Sequence, residues 1–379
     1  MSLRPLQTLI FLLLAVTLFA SCKKKQQAET TADSTLILNE QLATEFAQKI
    51  EMSVLNEAPD FFNDAFDKKH IREVISEANS IVASAFDTQF GRAAFDNNFR
   101  NGDFAVGTVM DGGDFRFLRY YETDGEHHVI FRIYNDYGLH IDDCILTVNE
   151  DNEVKIKDAY TYNLSSTLTD LLLHDMLYCS LKYSVTAPDE TAEALTLAEE
   201  LFNEGQFHKL LQHLQTNKEL LKGYRYYNHF YINALYETST NFIHDLEKME
   251  EDGLDIRCIL VHEMIYYTNK GKADALEPVI QQLINYTGED PIYWVFYGKA
   301  LYNSGDYTGA VKAYDNAQLA MSAIWDIWQG QLDCYYHLRN REAFNECLSH
   351  AEELFGMSEV EVKEFVKRKY PKFESIETP

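Results

Sequence analysis

Positive charge is scarce in this chain: 33 lysines and arginines stand against 60 aspartates and glutamates, a formal net charge of −27. Phosphate binding needs clustered cations that displace counterions, and no basic stripe occurs, so nucleic acid is not an expected partner. The acidity reads as a solvated surface. Cysteine is sparse as well: six are present and none forms a CxxC pair, so no zinc or redox motif follows. Cys334 and Cys347 could face each other across a helical hairpin as a disulfide, but two small buried apolar side chains describe them better. A hydrophobic run of membrane-spanning length is also missing, because the apolar stretch from Leu9 to Val16 is short and ends abruptly. What the chain does have is 379 residues, 46% hydrophobic and 13% aromatic, enough for two domains with packed cores.

The first residues have the charged start (Arg4), short apolar centre and small-residue end of a secretory signal over 1–21. The segment Phe19-Ala20-Ser21-Cys22 resembles a bacterial lipobox, with Phe19 where Leu or Val is usual. That resemblance implies cleavage before Cys22, lipid on its thiol and new amine, including palmitate, and a place in the bacterial cell envelope, in the outer membrane. The alternative is an ordinary secretory peptide with an incidental cysteine. Residues 22–38 contain the polar run Lys23 to Ser34, which has no apolar period and reads as a disordered tether.

The stretch 39–165 reads as an α+β domain. Leu42, Phe46, Ile50 and Val54 recur at helical spacing before Pro59, and Ile71, Val74, Ile75 and Ile81-Val82 mark a second helical patch. After the glycine-containing breaks Asn101-Gly102 and Asp111-Gly112-Gly113 the period changes to two, with segments at Phe115–Tyr120, His128–Tyr134, Leu139–Val148 and Val154–Tyr162. This predicts a four-strand antiparallel meander. Helices before such a meander resemble the cone of the nuclear transport factor 2-like, or cystatin-like, class, some of whose members place an acid-base pair inside. The candidate doublets here are Tyr120-Tyr121, His127-His128 and Asp142-Asp143. Strand neighbours point to opposite faces, so no doublet acts as a unit, and exposed polar positions with one aromatic cap are expected.

A linking helix, Thr167 to Tyr183, and a linker with Pro188 occupy 166–190, where a domain boundary is expected. Beyond it, breaks at Gly205, Ser239, Gly271, Gly305 and Arg339 lie 34, 32, 34 and 34 residues apart. Helical patterns flank each, so 191–357 reads as five helical hairpins, and 358–379 as a capping helix and tail. Within the fourth, Trp294, Gly298, Ala310, Tyr314 and Ala317 occupy the positions of a tetratricopeptide repeat, which the segment from Pro291 to Met321 resembles. The resemblance implies that Gly298 and Ala310 let two helices approach closely while Trp294 and Tyr314 fill the gap.

Two motifs dissolve on inspection. His262-Glu263 opens like a zincin helix, but Tyr266 stands where the second ligand belongs, and no metal is expected. The aromatic run from Tyr224 to Tyr231 lacks a basic cluster and reads as the core and groove of a hairpin. The repeat resemblance further implies a concave groove. In the fourth unit it would be lined by Ile292, Val295, Lys299, Tyr302 and Asn303; in the fifth by Trp325, Trp328, Leu332, Tyr335 and Tyr336. An aromatic groove with one cation suits a protein or peptide partner with apolar anchors, unless the C-terminal helix or the first domain covers the tryptophans. A non-enzymatic, lipid-anchored scaffold with no cofactor is therefore the expected function. A small-ligand site or enzyme in the cone, or glycan binding by the tryptophan pair, is the alternative.

Overall fold

A computed structural model describes residues 36–135, 138–182, 190–222 and 224–371, so the signal segment, Cys22, the tether to Ser34 and the linker at 184–189 lie outside the described residues. Helix α1 (Glu40–Leu55) opens on Asn39, whose side chain accepts from the Leu42 N–H, and buries Phe46, Ile50 and Val54. After α2 (Asp60–Asn63), the second helical patch is two helices, α3 (Lys68–Ala78) and α4 (Ser80–Ala85). They part at Asn79, whose side chain accepts from the Ile81 and Val82 N–H groups and starts a new helix. Two helices follow, α5 (Gln89–Asn97) and α6 (Asn101–Met110). Asn101-Gly102 thus opens a helix where the sequence suggested a break. The glycine is needed for approach: a Cβ there would collide with the Pro59 carbonyl, and the Gly102 N–H donates to Asn63 Oδ1 at 2.9 Å.

The meander follows as β1 (Asp114–Thr123), β2 (Glu126–Asn135), β3 (Gly138–Val148) and β4 (Val154–Thr161), joined by a two-residue β5 (Ser166–Thr167) in a five-stranded antiparallel sheet of sequential order. Asp124 and Gly125 both have positive φ, 52° and 78°, as the tight β1–β2 hairpin demands. A bulge between Phe117 and Arg119 changes which residues face which way. Before it, Phe115 and Phe117 point toward α1–α6; after it, Arg119 and Tyr121 point to the opposite face.

Helix α7 (Leu168–Lys182) returns beneath the sheet, burying Leu172 and Met176 with Phe62, Phe66, Phe99, Phe115 and Phe131. Five helix pairs follow: α8 (Glu190–Asn203) with α9 (Phe207–Thr216), then, after the short α10 (Lys218–Leu221), α11 (Arg225–Thr238) with α12 (Phe242–Glu251), α13 (Ile256–Asn269) with α14 (Ala273–Thr287), α15 (Ile292–Ser304) with α16 (Tyr307–Met321), and α17 (Trp325–His337) with α18 (Arg341–Phe355). All five sequence breaks fall in the turns inside these pairs. Helix α19 (Glu359–Lys369), the last among the described residues, opens on a capping box of Ser358 and Glu361.

From Leu38 onward the described residues make one compact unit. The reason is that the sheet is buried on both faces. Ile130, Tyr134, Leu139, Ile141 and Tyr162 share a core with Leu260, Val261 and Met264 of α13 and with Ile292, Val295 and Phe296 of α15. Arg116 and Arg119 of β1 donate to the carbonyls of Ala320 and Asn285, at the ends of α16 and α14, each at 3.2 Å. Cations are favourable at helix C-termini, so these contacts fasten the edge strand to the helix pairs.

Candidate functional site

Three buried or half-buried polar clusters stitch the sheet to the helix pairs. At the first, Arg132 of β2 is fully buried and pairs with Asp114 and, at 3.1 Å, with Asp290, whose other oxygen accepts from the Ile292 N–H at the start of α15. At the second, Lys299 of α15 reaches the Tyr134 hydroxyl (2.9 Å) and Asp326 (2.7 Å), and Tyr134 donates to Asp326 at 2.5 Å. Burial pushes the Asp326 carboxyl up, but the Lys299 charge and these hydrogen bonds hold it below the usual carboxylate range. The third is Asp143, which accepts from Tyr121, from Arg257 of α13 (3.2 Å) and from His128 Nδ1 (2.9 Å).

Tyr121, His128 and Asp143 are one member from each of the three strand doublets. Their partners go the other way, with the Tyr120 hydroxyl on His127 Nδ1 at 2.8 Å. The doublets are split across the faces as expected, but one half of each converges, with His128 and Asp143 buried and Tyr121 half-buried where exposed polar positions were expected. The β1 bulge is what turns Tyr121 toward His128, and local spacing gives no sign of it. The readable signal was that three consecutive strands each carry a polar pair. The Asp143 carboxylate is fully engaged, while His128 Nε2 is buried with no hydrogen-bond partner among the described residues. Tyr121 and Arg257 share one Asp143 oxygen, the His128 ring stacks on Tyr121 at 4.5 Å, and the Arg257 guanidinium lies 4.2 Å from the Tyr160 ring. It holds Arg257, and so α13, against the sheet.

The ten expected groove residues all make contacts within the chain. Besides Lys299, the Tyr302 hydroxyl meets His337 Nε2 at 3.1 Å and Asn303 donates to the Thr268 carbonyl at 2.9 Å. Trp328 is 6% exposed, donates to the Ser322 carbonyl at 2.6 Å, and lies in a core with Leu332, Phe344 and Tyr370; Tyr335 packs against the same core. Tyr336 lies on the Tyr370 ring at 5.2 Å, and Trp325 stands between Phe355 and Phe365. Ile292 and Val295 are fully buried. Much of the groove expected from the repeat resemblance is thus occupied by the chain itself: the sheet packs on Ile292, Val295 and Lys299 of α15 and α19 packs on α17, while Asn303 stays exposed. Trp294, expected to fill the gap between helices, is 44% exposed, whereas the Tyr314 ring lies against Gly298 as expected.

One recess remains where these elements meet. A pocket of about 380 Å³ is lined by Met110, the Gly112-Gly113 turn, Tyr134, Ile324, Trp325, Asp326, Phe355 and Met357. Its wall is mostly apolar and, through two methionines, adaptable, while Asp111, Tyr134, Asn135 and Asp326 supply its polar groups. A larger cleft, about 930 Å³, opens between α9, α11 and α12, but its charges are mutually paired, as in Lys218–Asp252 (2.8 Å) and Lys222–Glu219 (2.5 Å).

The residues of the incomplete zincin motif serve packing. His262 Nε2 faces the Asn163 carbonyl at 3.3 Å, and Tyr266 packs on Phe242. Burial lowers the His262 pKa to about 4, while burial and the nearby Glu247 and Glu250 charges raise that of Glu263 to about 7. The signs oppose. A raised acid contributes stability below its unfolded value that is lost as pH rises through about 7. A lowered histidine loses stability as pH falls from its unfolded value through about 4. Glu263→Gln should therefore match the parent at pH 4.5 and exceed it by about 1–2 kcal/mol at pH 8, a figure reduced for its partial exposure to water. Urea unfolding at the two pH values checks this.

Among the described residues, Cys144, Cys258, Cys334 and Cys347 are buried free thiols. No group of three or more His, Cys, Asp or Glu there could hold a metal ion, and no helix there is long and apolar enough to cross a membrane. Compared with known proteins, the chain matches no family model, no curated protein and no solved structure.

Proposed function

We propose that this protein is a lipid-anchored scaffold of a bacterial envelope that captures a protein or peptide partner through an apolar anchor seated in the pocket between sheet and helix pairs. The observation that carries this reading is the pocket itself. It joins Trp325, one of the groove residues, to Met110, Phe355 and Met357, and offers Asp326 and Tyr134 for orientation. A single buried aromatic or aliphatic anchor with a polar rim is the usual core of a peptide site. The tetratricopeptide-like reading of the helix pairs is supported by the regular breaks and by the glycine contacts of Tyr314. The small-ligand or enzymatic reading of the cone is disfavoured, because phenylalanines 62, 66, 99, 115 and 131 fill the space between sheet and helices.

Met110, 66% exposed, allows a test that spares the core. Affinity capture from membranes, read by mass spectrometry, should enrich a specific partner with the parent protein. Met110→Asp should lose it by about tenfold or more, with circular dichroism unchanged. Equal capture by the variant would remove this pocket from the account. Cys22→Ala should release the protein from the membrane fraction and abolish fatty-acid labelling, and persistent labelling would place the anchor elsewhere.

A further inference from the structure

A further recess, of about 570 Å³, lies between α14 and α15, apart from the pocket at Met110 and Trp325. Its wall is Trp294, half-exposed and edge-on to Tyr297 with ring centroids 6.2 Å apart, and its floor includes Ile280 and Ile284. Glu277 and Glu289 stand at its rim with Gln281 and Asn316, and no lysine or arginine lines it. Neither glutamate has an ion-pair partner among the described residues. Asp290 also borders the recess, but its charge is already met by Arg132.

An exposed tryptophan face beside unmatched carboxylates is a favourable place for one kind of group. Ring quadrupoles attract cations, Trp most strongly, and a flat guanidinium can stack on the indole while donating to a carboxylate. Anions are repelled by the rim and by the chain's net charge of −27. Burial and the charges of Glu277, Asp274 and Asp306 also raise the Tyr297 phenol, in keeping with a negative field at this wall. We infer that the recess walled by Trp294 and Tyr297 and rimmed by Glu277 and Glu289 receives an arginine side chain from a basic segment of a partner protein.

The probe is acetyl-arginyl-arginine amide, titrated calorimetrically into the full chain, with acetyl-glutamyl-glutamate amide and maltotriose as comparisons. The arginine peptide should bind saturably at one site, and the other two should give no saturable heat. Trp294→Ala should weaken binding about tenfold or more. Glu277→Gln combined with Glu289→Gln should weaken it comparably and flatten its salt dependence. Glu342→Gln with Glu346→Gln removes the same charge from exposed positions of α18 and should change little. The inference is overturned if the arginine peptide gives no saturable heat, if both double variants weaken it equally, or if maltotriose binds in a Trp294-dependent manner.

Discussion

Arg132→Met is expected to lower the unfolding free energy by about 3–5 kcal/mol at neutral pH, the cost of leaving a buried charge without its partner. The guanidinium is fully buried and Asp290 is 1% exposed, so removing the arginine strands a carboxylate that water cannot reach, whereas Asp114, 20% exposed, keeps some hydration. Adding Asp290→Asn should restore all but about 1 kcal/mol, because a buried ion pair replaced as a whole by neutral groups is often close to neutral in effect. In the parent, burial already raises the Asp290 pKa while the Arg132 charge lowers it. Without Arg132 the raised value dominates, so the single variant should regain stability as pH falls and lose it as pH rises. Urea unfolding of both variants at pH 7 and pH 4.5 checks this. Equal losses in the single and double variants at both pH values would mean that packing of the arginine stem, not charge, is what matters.

Gly330→Ala is the second large expected loss, about 1–3 kcal/mol from overpacking. Tyr314 of α16, 2% exposed, is clasped between two glycines on neighbouring helices. A Cβ at Gly298 would stand 2.9 Å from its ring, and one at Gly330 would stand closer still. No rotation of a buried phenol ring escapes both sides, so the helices must part. Gly298→Leu should cost a similar amount on the other side of the ring. Truncation by Tyr314→Ala should itself cost about 3–5 kcal/mol through the cavity left behind. In that background Gly330→Ala should cost far less, since the clash is gone, and this coupling in a double-mutant cycle is the decisive readout. Additive losses would show that the glycine serves some other contact.

Several features were legible because they depend on local pattern alone. The alternation from Phe115 to Tyr162 named the four long strands, since one residue in two must face a core. The breaks at Gly205, Ser239, Gly271, Gly305 and Arg339 named the five helix pairs, since a helix cannot be continued through a turn of that chemistry. Gly298, Ala310 and Tyr314 announced close helix packing. Trp294 misled in the same motif, because identity at a repeat position does not say which neighbour, or whether any, covers the ring.

Tertiary structure decided the rest, and for one physical reason: the amount of apolar surface in a segment does not specify what buries it. Trp325, Trp328 and Tyr336 are equally suited to a peptide and to α19, and α19 is held in the same chain at high effective concentration. The second face of the sheet reads as half-polar, with Tyr121, His128, Arg132 and Asp143, and only the approach of α13 and α15 makes those charges internal. A bulge of one residue in β1 then determines that Tyr121 joins them. Composition and period thus determined the elements and their order, whereas which faces meet, and so which recesses stay open for a partner, was decided by contacts between residues distant in sequence, such as Arg257 with Asp143, Lys299 with Tyr134 and Tyr336 with Tyr370.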